Sequence, residues 1–439
     1  DEVPCVMDYD YFAAAFDAVQ SLVEKGQILA GHDISAGGLI TTLLEMCFAN
    51  TEGGIEVNLA KFAEEDLIKI LFAENPGLVV QIDDKHIQSV YDFLEDVGVG
   101  IQKVGYPTEE RHILVKHNNA TYQFGIDHLR DVWYSTSFLL DKKQSMNGMA
   151  KERFNNYKMQ PLEFAYLPDF KGTLAQFKLD TKRKEMTGTR AAIIREKGTN
   201  GDREMAYALH LAGFDVKDVT MTDLINGSET LEDINLIVFC GGFSNSDVLG
   251  SAKGWAGGFL FNEKANQTLQ NFYKREDTLS LGICNGCQLM MELNLIYPEH
   301  EQRIKMLHND SKKFESTFIG VTIPTNRSVM FGSLSGYKLG IWVAHGEGKF
   351  DMPYTENKYN IIAKYSYNQY PGNPNGSKYA TAAVASKDGR HVAMMPHLER
   401  SIFPWQNGTY PESRLHKDQI TPWIMAFTNA KEWIINNKK

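Results

Sequence analysis

The sequence predicts a two-part α/β protein, an α+β unit through about residue 144 followed from Arg190 by a mainly parallel sheet flanked by helices. Three observations carry that expectation. Apolar runs of strand length alternate with amphipathic stretches of helix length over most of the chain. From Arg190 onward the alternation is strand then helix at crossover spacing, which places parallel strands with helices on both faces. Between Ser145 and Thr189 the periodicity weakens and proline, glycine and scattered lysines mix, so 145–189 reads as a linker packed in places.

Taken in order, residues Tyr9 to Lys25 put Phe12, Phe16 and Val19 on one helical face. ILAGHDISAGGLITTLLEMCF passes from an apolar run through a glycine turn into a second helix. GIEVNL and LVVQI read as strands, and EEDLIKILFA and HIQSVYDFLEDV as helices. ILVKHNNATYQFGI reads as a hairpin about Asn118-Asn119, and HLRDVWYSTSFLLDKKQ as the helix that closes the first part. After the linker, RAAIIRE opens the second part as a strand and GDREMAYALHLAGF follows as a helix. INLIVFCGGF, LSLGICNGCQLMM and HVAMMPHLER supply later strands. There is no internal repeat and no low-complexity tract.

A length of 439 residues allows two or three compact units. The composition, 43% hydrophobic and 23% charged, is that of a globular protein. A net charge of −10 and the absence of basic blocks interleaved with aromatics disfavour nucleic acid as a partner. No apolar run approaches the roughly 20 residues of a membrane span, and DEVPCVMDYD lacks the features of a signal peptide. No membrane partner and a cytoplasmic location are the resulting expectations. Cysteines 5, 47, 240, 284 and 287 are odd in number and lack the spacing of a disulfide framework. Asp1 in place of an initiating methionine suggests processing or a piece of something longer.

In LSLGICNGCQLMM a strand runs into Gly282-Ile283-Cys284-Asn285-Gly286 and then a helix, the G-x-nucleophile-x-G pattern of a sharp strand-to-helix elbow. Cys284 then projects from the turn at a helix N-terminus, where free N–H groups and the helix dipole favour a thiolate. The Asn285 backbone N–H is placed to donate to an oxyanion. Other readings compete for these residues: Cys284 and Cys287 as a redox C-x-x-C, as half of a zinc site, or as two buried small hydrophobes. Cys287, one turn further along, is read as a buried hydrophobe.

MMPHLER supplies a base and its orienting acid. On an extended backbone, His397 and Glu399 share a face, so the carboxylate can hold one imidazole nitrogen while the other meets the thiol. In VFCGGF, a strand ends in Gly241-Gly242, whose amides are candidates for the remaining oxyanion donors; a simple strand-ending turn explains the same residues. His345 and Glu347 of AHGEG read as substrate-binding or loop-shaping residues and not as a second acid–base pair. In the first part, GHDISAGGL sets His32, Asp33 and Ser35 before Gly37-Gly38 and a helix, a turn that can present amides to phosphate with an adjacent aspartate for Mg²⁺.

GGFSNSDVLGSAKGWA, LGICNGCQLM, HNDSKKFES, AHGEG, NPNGS and MMPHLER occur here in an order that resembles class I, triad-type glutamine amidotransferase domains. Within these, residues 190–439 most resemble the glutaminase domain of the large phosphoribosylformylglycinamidine synthase (FGAM synthetase) family. The resemblance implies a flavodoxin-like sheet, Cys284, His397 and Glu399 as the triad, Gln288 in the glutamine pocket, and glutamine as substrate. Two departures stand out: Asn245-Ser246 where the family usually has Tyr-Gly, and Leu398 where it usually has proline. HDISAGGL, LFAENPGLVVQI and HLRDVWYSTS resemble the C-terminal part of the same family's second aminoimidazole-ribonucleotide-synthetase-like repeat, covering 1–144. That resemblance implies Asp33 as a Mg²⁺ ligand and Ser35 as an ATP or ADP contact, with Ala36 standing where an acidic residue is more usual. It further implies a missing N-terminal synthase portion as partner, with ligation of ammonia occurring there and glutamine hydrolysis here.

Overall fold

The computed structural model describes residues 5–437. These fall into two compact units that divide between Leu139 and Leu140.

The first unit runs α1 (Tyr9–Glu24), β1 (Ile28–Ile34), α2 (Gly38–Phe48), β2 (Gly54–Asn58), α3 (Leu67–Phe72), β3 (Gly77–Ile82), α4 (Ile87–Asp96), β4 (Gly105–Thr108), β5 (His112–His117) and β6 (Ala120–Gly125), then enters α5 (Ile126–Gln144). Four strands form a sheet in the order β4-β2-β5-β6, with β2 and β5 parallel and the other neighbours antiparallel, while β1 and β3 pair antiparallel by themselves. Alternation makes the sheet one-sided: along β5, Ile113 and Val115 are fully buried and meet Leu39 and Leu43 of α2 in one core. The expected hairpin forms, with Asn118 at φ 52° in its turn. The helix at Tyr9 forms too, capped by the Asp8 carboxylate on the Tyr11 N–H, yet it buries Ala18 and Leu22 and leaves Phe12 and Phe16 exposed. Its packing partners, Val90 and Leu94 of α4, belong to a small cluster that meets only the later turns of α1.

The second unit holds α6 (Met149–Asn156), β7 (Arg190–Arg195), α7 (Asp202–Leu211), β8 (Asp215–Thr220), α8 (Met221–Asn226), β9 (Leu236–Phe239), α9 (Lys253–Leu260), α10 (Glu263–Lys274), β10 (Leu279–Ile283) and α11 (Asn285–Glu292). It continues with β11 (Lys305–Leu307), β12 (Glu315–Thr322), β13 (Lys338–His345), β14 (Lys349–Asp351), β15 (Asn360–Tyr365), β16 (Thr381–Ala385), β17 (His391–Met394), α12 (Glu412–Leu415) and α13 (Ile424–Asn437). Nine strands build one sheet in the order β13-β12-β15-β16-β17-β10-β9-β7-β8. From β17 to β8 every neighbour is parallel, as the βα alternation predicts. From β13 to β17 the neighbours are antiparallel, an extension that the sequence pattern did not reveal. Strands β9, β10 and β17 are buried throughout, which is why they read as continuous apolar runs. The helices pack in separate groups, α7 with α13, and α8 and α9 with α10.

Residues 145–189 pack along the second unit. Phe170 lies in its core, Ala165 bridges to Lys338, and Arg153 reaches Glu315 at 2.7 Å and Asp141 at 3.0 Å. Among the described residues no helix is long and apolar enough to cross a membrane.

Candidate active site

Three adjacent parallel strands deliver the site. Each of β9, β10 and β17 ends at the same edge of the sheet, the end at which open α/β sheets place their ligands. Beyond β10 comes Cys284, beyond β17 His397, and beyond β9 Gly241-Gly242.

Cys284 sits at φ 53°, ψ −107°, a conformation that L-residues avoid and that persists because its surroundings fix it. Its N–H donates to the Met394 carbonyl of β17 at 2.9 Å, and α11 starts at the next residue. The flanking glycines are dictated by space. A Cβ on Gly282 would lie 2.6 Å from the Gly286 carbonyl, and one on Gly286 would strike the Phe239 carbonyl of β9. The thiol, almost wholly buried, faces the Ala344 carbonyl at 3.5 Å.

His397 and Glu399 do meet, by a different backbone route from the one expected. Residues Leu398–Arg400 form a 3₁₀ turn in place of an extended segment, and the turn brings Nδ1 of His397 to within 2.6 Å of Glu399 Oε1. The His397 N–H donates to the Trp342 carbonyl of β13 at 2.9 Å, which anchors the turn to the antiparallel half of the sheet. The Cys284 side chain also favours the protonated imidazole. Burial disfavours its charge, but Glu399 and Cys284 outweigh burial and push its pKa up to about 10. Imidazolium is therefore the form present at neutral pH. Gly241 lies against both partners: a Cβ there would sit 2.9 Å from His397 Cε1 and 3.3 Å from Cys284 Cβ. Gly242, at φ 119°, pairs with Thr199 in an isolated bridge.

Asn285 and Gln288 are buried on the first turn of α11, with their side chains bonded to each other at 2.9 Å. Gln288 Nε2 donates to the Glu347 carbonyl at 2.9 Å, so it holds the AHGEG loop against the nucleophile helix. His345 is buried as well, and burial together with the His397 charge drops its pKa to about 3. The His345 imidazole is therefore neutral near pH 7. Cys287 is fully buried, and burial lifts its thiol well above the ordinary range. Both cysteines are free, and among the described residues no group of three or more His, Cys, Asp or Glu could hold a metal.

Sequence reasoning passed over several neighbours. Asn309 is fully buried, donating to the His345 carbonyl at 2.7 Å and accepting the Gly348 N–H at 3.0 Å; it lies in HNDSKKFES, where the signal was present. Asp247 accepts from Asn285 Nδ2 at 3.2 Å. Arg400 ties Asn200 to the turn that carries Glu399, at 2.9 Å. The family departure at Asn245-Ser246 falls on φ values of 51° and 57°. A glycine would adopt these freely, whereas other L-residues spend roughly 1–2 kcal/mol each.

In the first unit, Asp33 and Ser35 flank the end of β1 as expected, but the turn does not form a phosphate cradle by itself. The Gly37 N–H donates to Glu74 Oε1 at 2.8 Å and the Gly38 N–H to the Ser35 carbonyl at 2.9 Å, so two candidate amides are engaged, one of them by a carboxylate. The Asp33 side chain is largely exposed, with His32 its neighbour at 3.5 Å. The turn thus offers one largely exposed carboxylate, Asp33, and two amides already donated elsewhere.

Residues 188–434 match the family model described as CobB/CobQ-like glutamine amidotransferase domain. Residues 2–118 match that of the AIR synthase related protein, C-terminal domain. The chain is 39% identical to a probable phosphoribosylformylglycinamidine synthase, chloroplastic/mitochondrial, of Arabidopsis thaliana, over 99% of this chain and 32% of that protein. It is 36% identical to phosphoribosylformylglycinamidine synthase of Homo sapiens, over 96% of this chain and 33% of that protein. It thus spans about a third of the length of these curated relatives. Among solved structures, PurLQS from Thermotoga maritima covers 57% of this chain at 25% identity with a TM-score of 0.44.

Proposed function

The chain belongs to the CobB/CobQ-like glutamine amidotransferase domain family through residues 188–434, and on that premise we propose that it is the glutamine-hydrolysing, ammonia-producing part of a phosphoribosylformylglycinamidine synthase. The observation that carries the reading is the meeting of Cys284, on a strained strand-to-helix turn, with an imidazole held at 2.6 Å by a buried carboxylate. A thiol, a charged imidazole and an orienting acid are what transfer of an acyl group from an amide requires.

In this mechanism the Cys284 thiolate adds to the side-chain amide carbon of glutamine. The oxygen gains negative charge beside the Gly241, Gly242 and Asn285 backbone amides. His397 passes its proton to the amide nitrogen, the C–N bond breaks, and ammonia departs from a γ-glutamyl thioester. The imidazole, now neutral, takes a proton from water as its oxygen attacks the thioester; the C–S bond breaks, glutamate leaves with its carboxyl proton passing to solvent, and the thiolate–imidazolium pair is restored. Glu399 holds Nδ1 throughout and offsets the imidazolium charge. Gln288 and His345 shape the pocket through the AHGEG loop.

In the whole synthase the ammonia would serve the ATP-dependent conversion of formylglycinamide ribonucleotide to formylglycinamidine ribonucleotide, which makes the chain part of a carbon–nitrogen ligase of purine biosynthesis. Its partners are then glutamine and the rest of the synthase. The proposed compartment is the cytoplasm, which cell fractionation tests. The decisive assay measures glutamate release from glutamine by this chain and by Cys284→Ala. Release by the first and not the second is expected, together with labelling of Cys284 but not Cys287 by an electrophilic glutamine analogue. Release that survives Cys284→Ala would refute the reading.

A further inference from the structure

We propose that Asp247 is a positioning residue for glutamine hydrolysis, tying the loop that follows Gly241-Gly242 to the first turn of the nucleophile helix and so setting the oxyanion amides relative to Cys284. The inference rests on the glutaminase reading and adds a residue to it.

The loop after β9 is held in an unfavourable backbone form. Asn245, Ser246 and Asp247 have φ values of 51°, 57° and 48°, and Ala252 a φ of 57°. None is glycine, so a left-handed run of this kind persists only where side-chain bonds restrain it. Asp247 supplies the restraint. One carboxylate oxygen accepts the Ala252 N–H at 3.0 Å, closing the loop on itself, and both accept from Asn285 Nδ2 at 3.2 Å. The same loop grips Asn285 from the other side, where the Ser244 N–H donates to Asn285 Oδ1 at 3.1 Å. Ser244 and Asn285 are fully buried, so water does not substitute for the bond between them, while Asp247 is half-buried.

The connection does not stop at the helix. Asn285 Nδ2 also donates to Gln288 Oε1 at 2.9 Å, and Gln288 Nε2 donates to the Glu347 carbonyl at 2.9 Å. A single line of hydrogen bonds runs from the oxyanion loop through Asp247, Asn285 and Gln288 to the AHGEG loop, passing directly beside Cys284. Its polarity is fixed at Asp247, where the Ala252 N–H reaches Oδ1 and the Asn285 NH₂ reaches both Oδ1 and Oδ2. Only a side chain that accepts at both of its terminal atoms meets all three contacts. An amide of the same size would turn an N–H against the Asn285 N–H.

The test is steady-state glutamine hydrolysis by the full chain as wild type and as Asp247→Asn. Alongside, the rate of Cys284 alkylation by iodoacetamide, which needs no oxyanion site, is measured. The single variant is expected to lose about 100-fold in kcat, the scale of a lost oxyanion donor, with KM within about threefold and alkylation within about twofold. A kcat within about threefold of wild type in Asp247→Asn overturns the positioning role. So does a loss of activity matched by lost alkylation, which would mean that the site has merely come apart. Wild-type glutamate release that Cys284→Ala does not abolish would instead remove the glutaminase reading itself.

Discussion

At Gly241 the missing side chain is what allows the thiol and the imidazole to face each other, since a methyl group there would sit 2.9 Å from His397 Cε1. Burial and neighbouring charge set the protonation states of the second unit's buried histidines. His397 is raised to about 10 by Glu399 and Cys284 against the effect of burial, whereas burial lowers His345 to about 3 and His391 to about 4. His391 lies at the start of β17, away from Cys284, bonded to Ser280 Oγ at 3.0 Å under the Tyr273 ring. The linkage signs oppose one another. His345 and His391 remain neutral in the folded chain while the unfolded chain takes up protons near pH 6.5, so their stabilising contribution is complete above that pH. It is lost as pH falls toward about 4 and 3, at about 1.4 kcal/mol per pH unit for each. His397 keeps a proton that the unfolded chain gives up, so its contribution is complete below pH 6.5 and is lost as pH rises through about 10. Urea denaturation at pH 4.5, 6.5 and 9 should place the stability maximum near 6.5, and His391→Gln should flatten the acid side only. An unchanged acid slope in that variant would contradict the assignment.

Among the elements, the junction of β10 and α11 does most to build the site, because it brings a strand, a helix and the neighbouring β9 within backbone contact. Gly286 is the tightest point, its Cα facing the Phe239 carbonyl. Gly286→Ala should destabilise the second unit by about 1–3 kcal/mol through overpacking, visible as a lower urea midpoint. It should also slow labelling of Cys284 by an electrophilic glutamine analogue, since relief requires α11 to shift. A wild-type midpoint with wild-type labelling would show that the helix does not sit where this contact places it. The 3₁₀ turn after β17 illustrates the opposite case, in which a local form unlike the expected strand extension still yields the same side-chain pairing.

At the scale of the molecule, the division at Leu139–Leu140 places Asp141 with the second unit, where its carboxylate takes Lys313 at 2.6 Å and Arg153 at 3.0 Å. Arg153 in turn meets Glu315, the residue paired with His345 across β12 and β13. The stretch 145–189 is thereby fastened to the strands that carry the AHGEG loop. Asp141→Ala leaves two partly buried cations without their shared carboxylate and should lower the stability of the second unit by about 2 kcal/mol. Five of the six tryptophans (255, 342, 405, 423 and 433) belong to that unit, so fluorescence-monitored unfolding in urea reads it. A midpoint equal to wild type would mean that the cluster contributes nothing.

The amino-acid order alone determined the elements whose signals are local. The glycine-flanked cysteine, the His-x-Glu spacing, the hairpin at Asn118 and the parallel βα alternation all depend on neighbours in sequence, which fix turn geometry and period. The antiparallel extension β13-β12-β15-β16 was not legible, because its strands are joined by irregular stretches with no crossover rhythm. Nor were the burial of Phe170 within the supposed linker, the capture of the Gly37 amide by Glu74, and the line from Asp247 to Glu347. Each of these joins residues distant in the chain, and only packing into one low-dielectric interior selects which pairs meet. The same packing decided the charge on His397, through the carboxylate 2.6 Å away and the exclusion of water around it.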